Sequence, residues 1–434
     1  MPARQREHLA PVRRIPAARR TNTEPADNSF LEAAEASAIE VGGTTRISLM
    51  LMPHERGPIG VQARELLARL QQTLQKQPVP MTVTAQTVFL REAADQSECE
   101  RILGAHYGGQ SPAIHYVLQP PCCGASLAFE AWAIGGTGIK VERFGKHVLA
   151  LSYDGVRWIH CTGIPSGIES GDAYAQMSSL LERMGEALSS ASAEFEQVVR
   201  TWFYLGGITE SDPGEQRYKE MNRARADFYR NIPFGRALLG GNTVPGIYPA
   251  STGIGTAGNS LSGSCLAVQT TRKDTTLLNL ENPHQTPAYA YPPRYSAKSP
   301  KFSRGMALVL GNQVTTWISG TASIVNSESR YPDDIERQTE QTIENIEQLL
   351  SPETFAYQGQ HGIMASLHDL AKIRVYVKRP QDFEKCKRIC ERRFGHVPTI
   401  YAVADVCRPE LLVEIEGVAF SRRLNGHHTT LNGH

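Results

Sequence analysis

Glu414 and Glu416 are separated by one residue in Leu412-Val413-Glu414-Ile415-Glu416-Gly417-Val418-Ala419, where apolar and acidic side chains alternate. Neighbours in a strand point to opposite faces, so the two carboxylates share one face, about 6–7 Å apart, and Val413 and Ile415 share the other. The apolar face suits packing under helices. The acidic face must meet water, cations or a substrate, and spacing alone leaves a solvated surface and a functional one equally open. Burial beside a second carboxylate raises a carboxyl pKa, and an acid still protonated near pH 7 can donate a proton to a substrate. Upstream, Pro398-Thr399-Ile400-Tyr401 reads as a second strand, and the turn residues Arg408-Pro409-Glu410 suggest that the two form a hairpin.

Other arrangements of reactive residues carry less. The eight cysteines (99, 122, 123, 161, 265, 386, 390 and 407) form no C-x-x-C pair and share no ligand spacing with histidines, which predicts reduced thiols in a cytoplasmic protein and no metal site. Gly253-Ile254-Gly255-Thr256-Ala257-Gly258 matches a dinucleotide fingerprint, but the turn residues Asn259-Ser260-Leu261-Ser262-Gly263 follow where a helix must begin. A net charge of +1 makes no electrostatic case for nucleic acid or an anionic membrane, and no apolar run reaches 18 residues.

The elements that position these residues are legible in part. With 434 residues, 41% hydrophobic, the chain is long enough for two domains with real cores. Residues 1–44 carry Arg4, Arg6, Arg13, Arg14, Arg19 and Arg20 without an apolar core segment, which predicts a disordered basic tail. Strands are expected near 42–49, 82–89, 148–151, 158–160, 198–205 and 266–268, and helices over 60–75, 176–188 and 216–230. Met177, Leu180, Leu181, Met184 and Leu188 give the second of these helices one apolar face. The order then recurs: Trp317-Ile318-Ser319 echoes Trp158-Ile159-His160, 338–350 echoes 176–188, 370–377 echoes 198–205, and 397–401 echoes 244–248. This predicts an internal duplication with its boundary near 269–273. The domains expected are 45–269 and 270–423, with a crossing loop over 282–300 and a tail over 424–434.

The second half resembles the YjgF/Rid family through Ile318-Ser319-Gly320, the helix at 338–346, 369–377, Asp382-Phe383 and 412–419. The resemblance implies an α+β fold: two pseudo-repeated domains, each a mixed sheet with helices packed on one face. Rid-type imine deaminases carry an arginine where this chain has Ile400. Over about 45–422 the chain is similar to the chorismatases, through Tyr248-Pro249-Ala250-Ser251-Thr252-Gly253-Ile254-Gly255, Glu281-Asn282-Pro283-His284-Gln285, Tyr291-Pro292-Pro293-Arg294-Tyr295 and Ser299-Pro300-Lys301-Phe302-Ser303-Arg304.

That resemblance implies an enzyme that removes pyruvate from chorismate without metal or organic cofactor. Glu414 falls at the family's catalytic glutamate. Chorismate is a dianion, so Arg304, then Tyr295 and Arg294, are expected to hold its carboxylates, with backbone at Gly320 and Thr321 in reach. Members that release 3-hydroxybenzoate pair a cysteine at position 407 with a glycine at position 320, which makes Cys407 the second catalytic candidate. The alternatives are a hydrolytic member giving a dihydrodiol acid and a Rid-like binding protein without turnover. A monomer or a homotrimer is expected, since single-domain Rid proteins are trimers.

Overall fold

The alternating stretch around Glu414 is the long strand of a mixed sheet, and that sheet is one of three large ones among the described residues. The computed structural model describes residues 12–16, 34–41, 43–169, 171–235 and 247–424. The first sheet contains β1 (Val12–Pro16), β2 (Ala34–Val41), β3 (Thr44–Leu51), β4 (Met81–Leu90), β5 (Ala113–Val117) and β6 (Leu127–Gly136), with helices α1 (Ile59–Gln75) and α2 (Gln96–Tyr107). The second contains β7 (Lys140–Phe144), β8 (Val148–Tyr153), β9 (Val156–Pro165) and β10 (Val198–Gly206). After the small ribbon β11 (Ser211–Asp212) and β12 (Glu215–Gln216), it continues with β13 (Ala250–Thr256) and β14 (Leu261–Thr270). Its helices are α3 (Ala173–Ser190) and α4 (Arg217–Phe228).

The third sheet begins with β15 (Thr275–Leu280), β16 (Gly305–Leu310) and β17 (Gln313–Ala322). A ribbon of β18 (Ile324–Val325) and β19 (Glu328–Ser329) follows, then β20 (Ile363–Met364), β21 (Leu370–Val377), β22 (Thr399–Val403) and β23 (Val413–Arg423). Its helices are α5 (Ile335–Leu349), α6 (Pro352–Tyr357) and α7 (Phe383–Phe394).

One strand order is used three times: β1-β2-β3-β6-β4-β5, β7-β8-β9-β14-β10-β13 and β15-β16-β17-β23-β21-β22. In each sheet the last pair is parallel, β4 with β5, β10 with β13 and β21 with β22. The α+β class with mixed sheets and helices is therefore present, and residues 45–269 hold two sheets. We propose that 12–136, 140–270 and 275–423 are three units of one topology. The duplication read from the sequence relates the second to the third, with Trp158 and Trp317 on β9 and β17. The first unit shares the strand order but none of those landmarks.

Two expectations are corrected. The segment 1–44 is not wholly a tail: β1 and β2 pair with each other, and β2 pairs with β3 to extend the first sheet. Residues 1–11, 17–33 and 42 of that segment, and 425–434, lie outside the described residues, as do the landmark residues 244–246. The strands at 399–403 and 413–423 do not form a hairpin, because β21 lies between them, parallel to β22 and antiparallel to β23. The expected crossing loop is ordered over 282–300 by main-chain bonds such as Thr286 N–H to Asn326 O at 2.9 Å and Asn326 N–H to His284 O at 2.7 Å.

The helices cover one face of each sheet. Val413 and Ile415 pack with Ile343, Ile346 and Ile389 of α5 and α7, as their alternation requires. The opposite faces turn toward one another, and the units meet cyclically: β5 packs on β9, β13 on β17 and β22 on β3. The last contact is apolar. Ile400 and Ala402 lie with Met50, Phe89, Val117 and Ala128, and Ile400 has no exposed surface. An arginine there would place a charge in a tightly packed apolar contact, which is costly. Ile400→Arg is expected to lower the stability by more than about 3 kcal/mol in urea unfolding, whereas Ile400→Leu costs less than about 1.5 kcal/mol.

Candidate active site

Burial makes Glu414 an acid rather than a carboxylate. Its side chain is 4% exposed, on the β23 face that turns away from α5 and α7 and toward the second unit. Burial, and then the charge of Glu416, push its pKa up to about 8 against the opposing pull of Arg200 and Arg304. Glu416 itself is ion-paired with Arg200 and, at 3.0 Å, with Arg374. It also accepts from Trp202 Nε1 at 3.1 Å, from the Tyr376 hydroxyl at 3.2 Å and from Thr252 Oγ1. Two carboxyl groups on one strand thus have opposite environments, one ion-paired by arginines and one desolvated.

Glu414 opens onto a cavity of about 250 Å³ between the second and third units. The third unit supplies Arg304, Gly320, Cys407, Tyr295 and Arg294; the second supplies Tyr218, Asn222 and Arg225 of α4, with Ser251 of β13. Gly320 sits where the register of β17 against β23 shifts between Ile318 and Thr321, a bulge of the kind that re-aims a strand. Its N–H donates to Thr252 Oγ1 at 3.0 Å. A Cβ on Gly320 would lie 2.1 Å from Glu414 Oε1 and 2.9 Å from Cδ, so the carboxyl occupies the space a side chain would take.

Two arginines at this cavity are buried without an ion-pair partner among the described residues. Arg304, 3% exposed, donates to the Tyr291 hydroxyl and, at 3.2 Å, to Thr286 O, and its Nε has no partner. The nearby Glu281 accepts from the Arg304 main-chain N–H at 3.2 Å, and burial lifts its pKa to about 7 despite Arg304. Arg225, 1% exposed, donates to Ser251 Oγ at 3.1 Å and to Asn222 Oδ1, and again Nε is unpaired. Its guanidinium lies 5.5 Å from the Phe302 ring centroid. A desolvated guanidinium held by neutral groups is a ready receptor for an anionic ligand.

The other residues singled out in the sequence fall in different places. Cys407 lines the cavity, and burial, then Glu414, push its thiol up to about 12, so it is a neutral wall rather than a thiolate. Tyr295 lines the mouth, with Arg408 4.4 Å from its ring centroid. Arg294 is there too, but its side chain is 63% exposed and paired with Glu328. Thr321 is buried, donates to Ser319 O at 2.9 Å and does not line the cavity.

The family model described as Endoribonuclease L-PSP matches residues 297–421, essentially the third unit. A 3-hydroxybenzoate synthase of Streptomyces hygroscopicus is 32% identical over 306 residues, covering 67% of this chain and 80% of that protein. A chorismatase of Streptomyces rapamycinicus is 30% identical over 277 residues, covering 62% of this chain and 78% of that protein. The chain belongs to the chorismatase family. A crystal structure of a chorismatase, 20% identical, covers 88% of this chain and all of that one with a TM-score of 0.61, so the fold is shared as well.

In this chorismatase-family chain, sequence reasoning missed the contribution of α4. Its signal was present: Arg217, Asn222 and Arg225 are polar residues on a helix that the structure buries. The pattern shows them on a short, strongly polar helix; Arg217 is held inside the second unit by Gly206 O, Asp212, Gln176 and Asn259, while Asn222 and Arg225 line the cavity wall.

Removing the negative charge of Glu416 would also leave Arg200 without its carboxylate beside Glu414, while Arg374 keeps Glu130, and both the lost repulsion and the freed Arg200 favour the Glu414 carboxylate. The Glu414 carboxyl is therefore expected to titrate near pH 8 in the parent protein and well below it in Glu416→Gln. Carbon-13 NMR of labelled glutamate, assigned by Glu414→Gln, checks this; an unchanged or raised midpoint would contradict it.

Proposed function

We propose that the chain cleaves the enolpyruvyl ether of chorismate to 3-hydroxybenzoate and pyruvate, with Glu414 as the proton donor. The observation that carries this reading is the buried acid at a cavity flanked by two buried arginines that have no carboxylate of their own. Chorismate brings two carboxylates and an enol ether, and the names of the relatives agree with that substrate. The second and third units of the chain supply the two walls of this cavity.

Arg304 and Arg225 each take one carboxylate, with the Tyr291, Tyr218 and Tyr295 rings beside the substrate ring. Glu414 gives its proton to the enol methylene carbon, and the ether becomes an oxocarbenium. The bond from ring carbon to ether oxygen then breaks, its electrons completing the pyruvate carbonyl. The neighbouring ring hydroxyl oxygen bonds to the same ring carbon, and its proton returns to Glu414. Opening of that epoxide with loss of a ring proton and protonation of the oxygen gives the phenol. No water enters the sum. The hydrolytic course differs by admitting water at the oxocarbenium carbon, so that the ring keeps its own oxygen, and the neutral Cys407 thiol with the Gly320 bulge forms the wall that would exclude it.

The direct test is incubation of the purified protein with chorismate and identification of the products by mass spectrometry. Pyruvate with 3-hydroxybenzoate is expected. Pyruvate with a dihydrodiol acid would assign the hydrolytic course, and no pyruvate at micromolar enzyme would exclude both.

Glu414→Gln is expected to keep binding and the melting temperature but to lose more than nine-tenths of turnover, since an amide cannot supply the proton. The folded pKa of Glu414 lies above its unfolded value, so the active protonated form prevails below pH 8 and is lost as pH rises through about 8. The rate profile should fall on that limb.

Substitutions in the wall should act on product choice. Gly320→Ala forces the Glu414 carboxyl to rotate away from the new methyl, and displacements of this size change rates by up to roughly a hundredfold. Lower pyruvate release is therefore expected from Gly320→Ala alone, and a larger dihydrodiol share when it is combined with Cys407→Val. An unchanged product ratio in the double variant would make both residues packing elements only.

A further inference from the structure

A carboxyl behind Arg304 takes no part in the cleavage. β15 and β16 pair antiparallel with Leu280 opposite Gly305, so the next residues outward, Glu281 and Arg304, stand opposite each other. Glu281 Oε1 accepts the Arg304 main-chain N–H at 3.2 Å, and its Oε2 is buried without a partner. The Arg304 guanidinium is directed elsewhere, to the Tyr291 hydroxyl and, at 3.2 Å, to Thr286 O, and it lines the Glu414 cavity. Glu281 itself does not line that cavity.

Burial lifts the Glu281 carboxyl to about 7 against the pull of Arg304, whose charge is the one that acts on it among the described residues. The titratable neighbour on the loop is Tyr289, which burial and then Glu281 keep protonated. The α5 side is neutral: Asn345 O holds the Asn282 amide at 2.9 Å, and Leu349 lies 3.2 Å from where a Cβ on Gly305 would stand. A buried carboxylate with an orphan oxygen is unfavourable, while the neutral acid is tolerated. Near neutral pH Glu281 therefore stands between its two forms, next to the guanidinium that receives a substrate carboxylate.

We propose that Glu281 is a positioning residue that sets the strength of Arg304 as a carboxylate receptor, and that it takes up a proton when the substrate binds. This role rests on the reading of chorismate as the substrate. With Glu281 protonated, Arg304 offers its full charge to the ligand. With Glu281 ionised, two carboxylates share one buried cation and compete for it. The bound ligand thus raises the Glu281 pKa above its value in the free protein. By linkage, affinity is greatest below pH 7 and falls as pH rises through about 7. That limb belongs to binding, whereas the limb set by Glu414 near pH 8 belongs to turnover.

Glu414→Gln removes turnover and the Glu414 titration together, so chorismate binding to that variant is measured by titration calorimetry from pH 6 to pH 8. The Kd is expected to rise about fivefold over this range, as a pKa raised by about one unit on binding requires. At pH 7, titrations in buffers of different ionisation enthalpy should show net proton uptake on binding, a measurement that needs no change at Glu281. Adding Glu281→Gln, which keeps an acceptor for the Arg304 N–H but cannot ionise, should hold the Kd near its pH 6 value and abolish the uptake. A Kd independent of pH without proton uptake, or an unaltered pH dependence in the double variant, would overturn the inference while leaving the substrate intact. No binding at any pH would overturn the substrate reading, and the role of Glu281 with it.

Discussion

The ion-paired carboxylate of Glu416 is the interaction on which the site depends. Glu416 stands on the long strand of the third unit, while Arg200, Trp202 and Thr252 reach it from the second and Arg374 from the neighbouring strand β21. A carboxylate satisfied this completely is a fixed negative charge. It ties two units together, and it lies beside Glu414, which has no such partners among the described residues. The field of one carboxylate and the loss of water at the other make the asymmetry that lets Glu414 keep a proton. Thr252 joins the two, since its hydroxyl touches Glu416 and accepts the Gly320 N–H where β17 bulges.

Three units of one topology create three junctions, and the side chains decide what each becomes. Between the third and first, Ile400 and Ala402 close the gap with apolar surface. Between the first and second, buried His115 bridges Ser262 and Ser264 at 3.0 Å each, and burial, Arg374 and His147 hold it uncharged, down at about 3. Between the second and third, Glu414 meets a roomy cavity and two unpaired arginines. Position in the fold is shared, while chemistry resides in a few side chains. Ile400 shows the consequence. It departs from the Rid pattern at a position that faces the first unit, so its identity bears on packing there and not on the Glu414 cavity.

Much of this was legible in the chain itself. The alternation of Val413, Glu414, Ile415 and Glu416 fixes which side chains share a face, because the strand period is two and does not depend on surroundings. The apolar stripe of α3 and the landmarks shared by the second and third units follow from the same local rules, as does the rejection of the glycine fingerprint at 253–258, which lies on β13 and its following turn. The motifs around 248–255 and 281–304 marked the cavity walls before their arrangement in space was known. What the chain could not disclose was contact between distant segments. The first unit escaped notice because its topology is held by pairing and burial, which many sequences satisfy, and not by any retained residue. The order of β22, β21 and β23 was hidden for a related reason: turn residues at 408–410 are compatible with a hairpin, and only competition for the β21 edge excludes it. Arg225 and Arg304, 79 residues apart, become a pair of anion receptors only when α4 docks against the third unit, and the Glu414 proton is held there by desolvation, a property of the folded interior that no local pattern encodes.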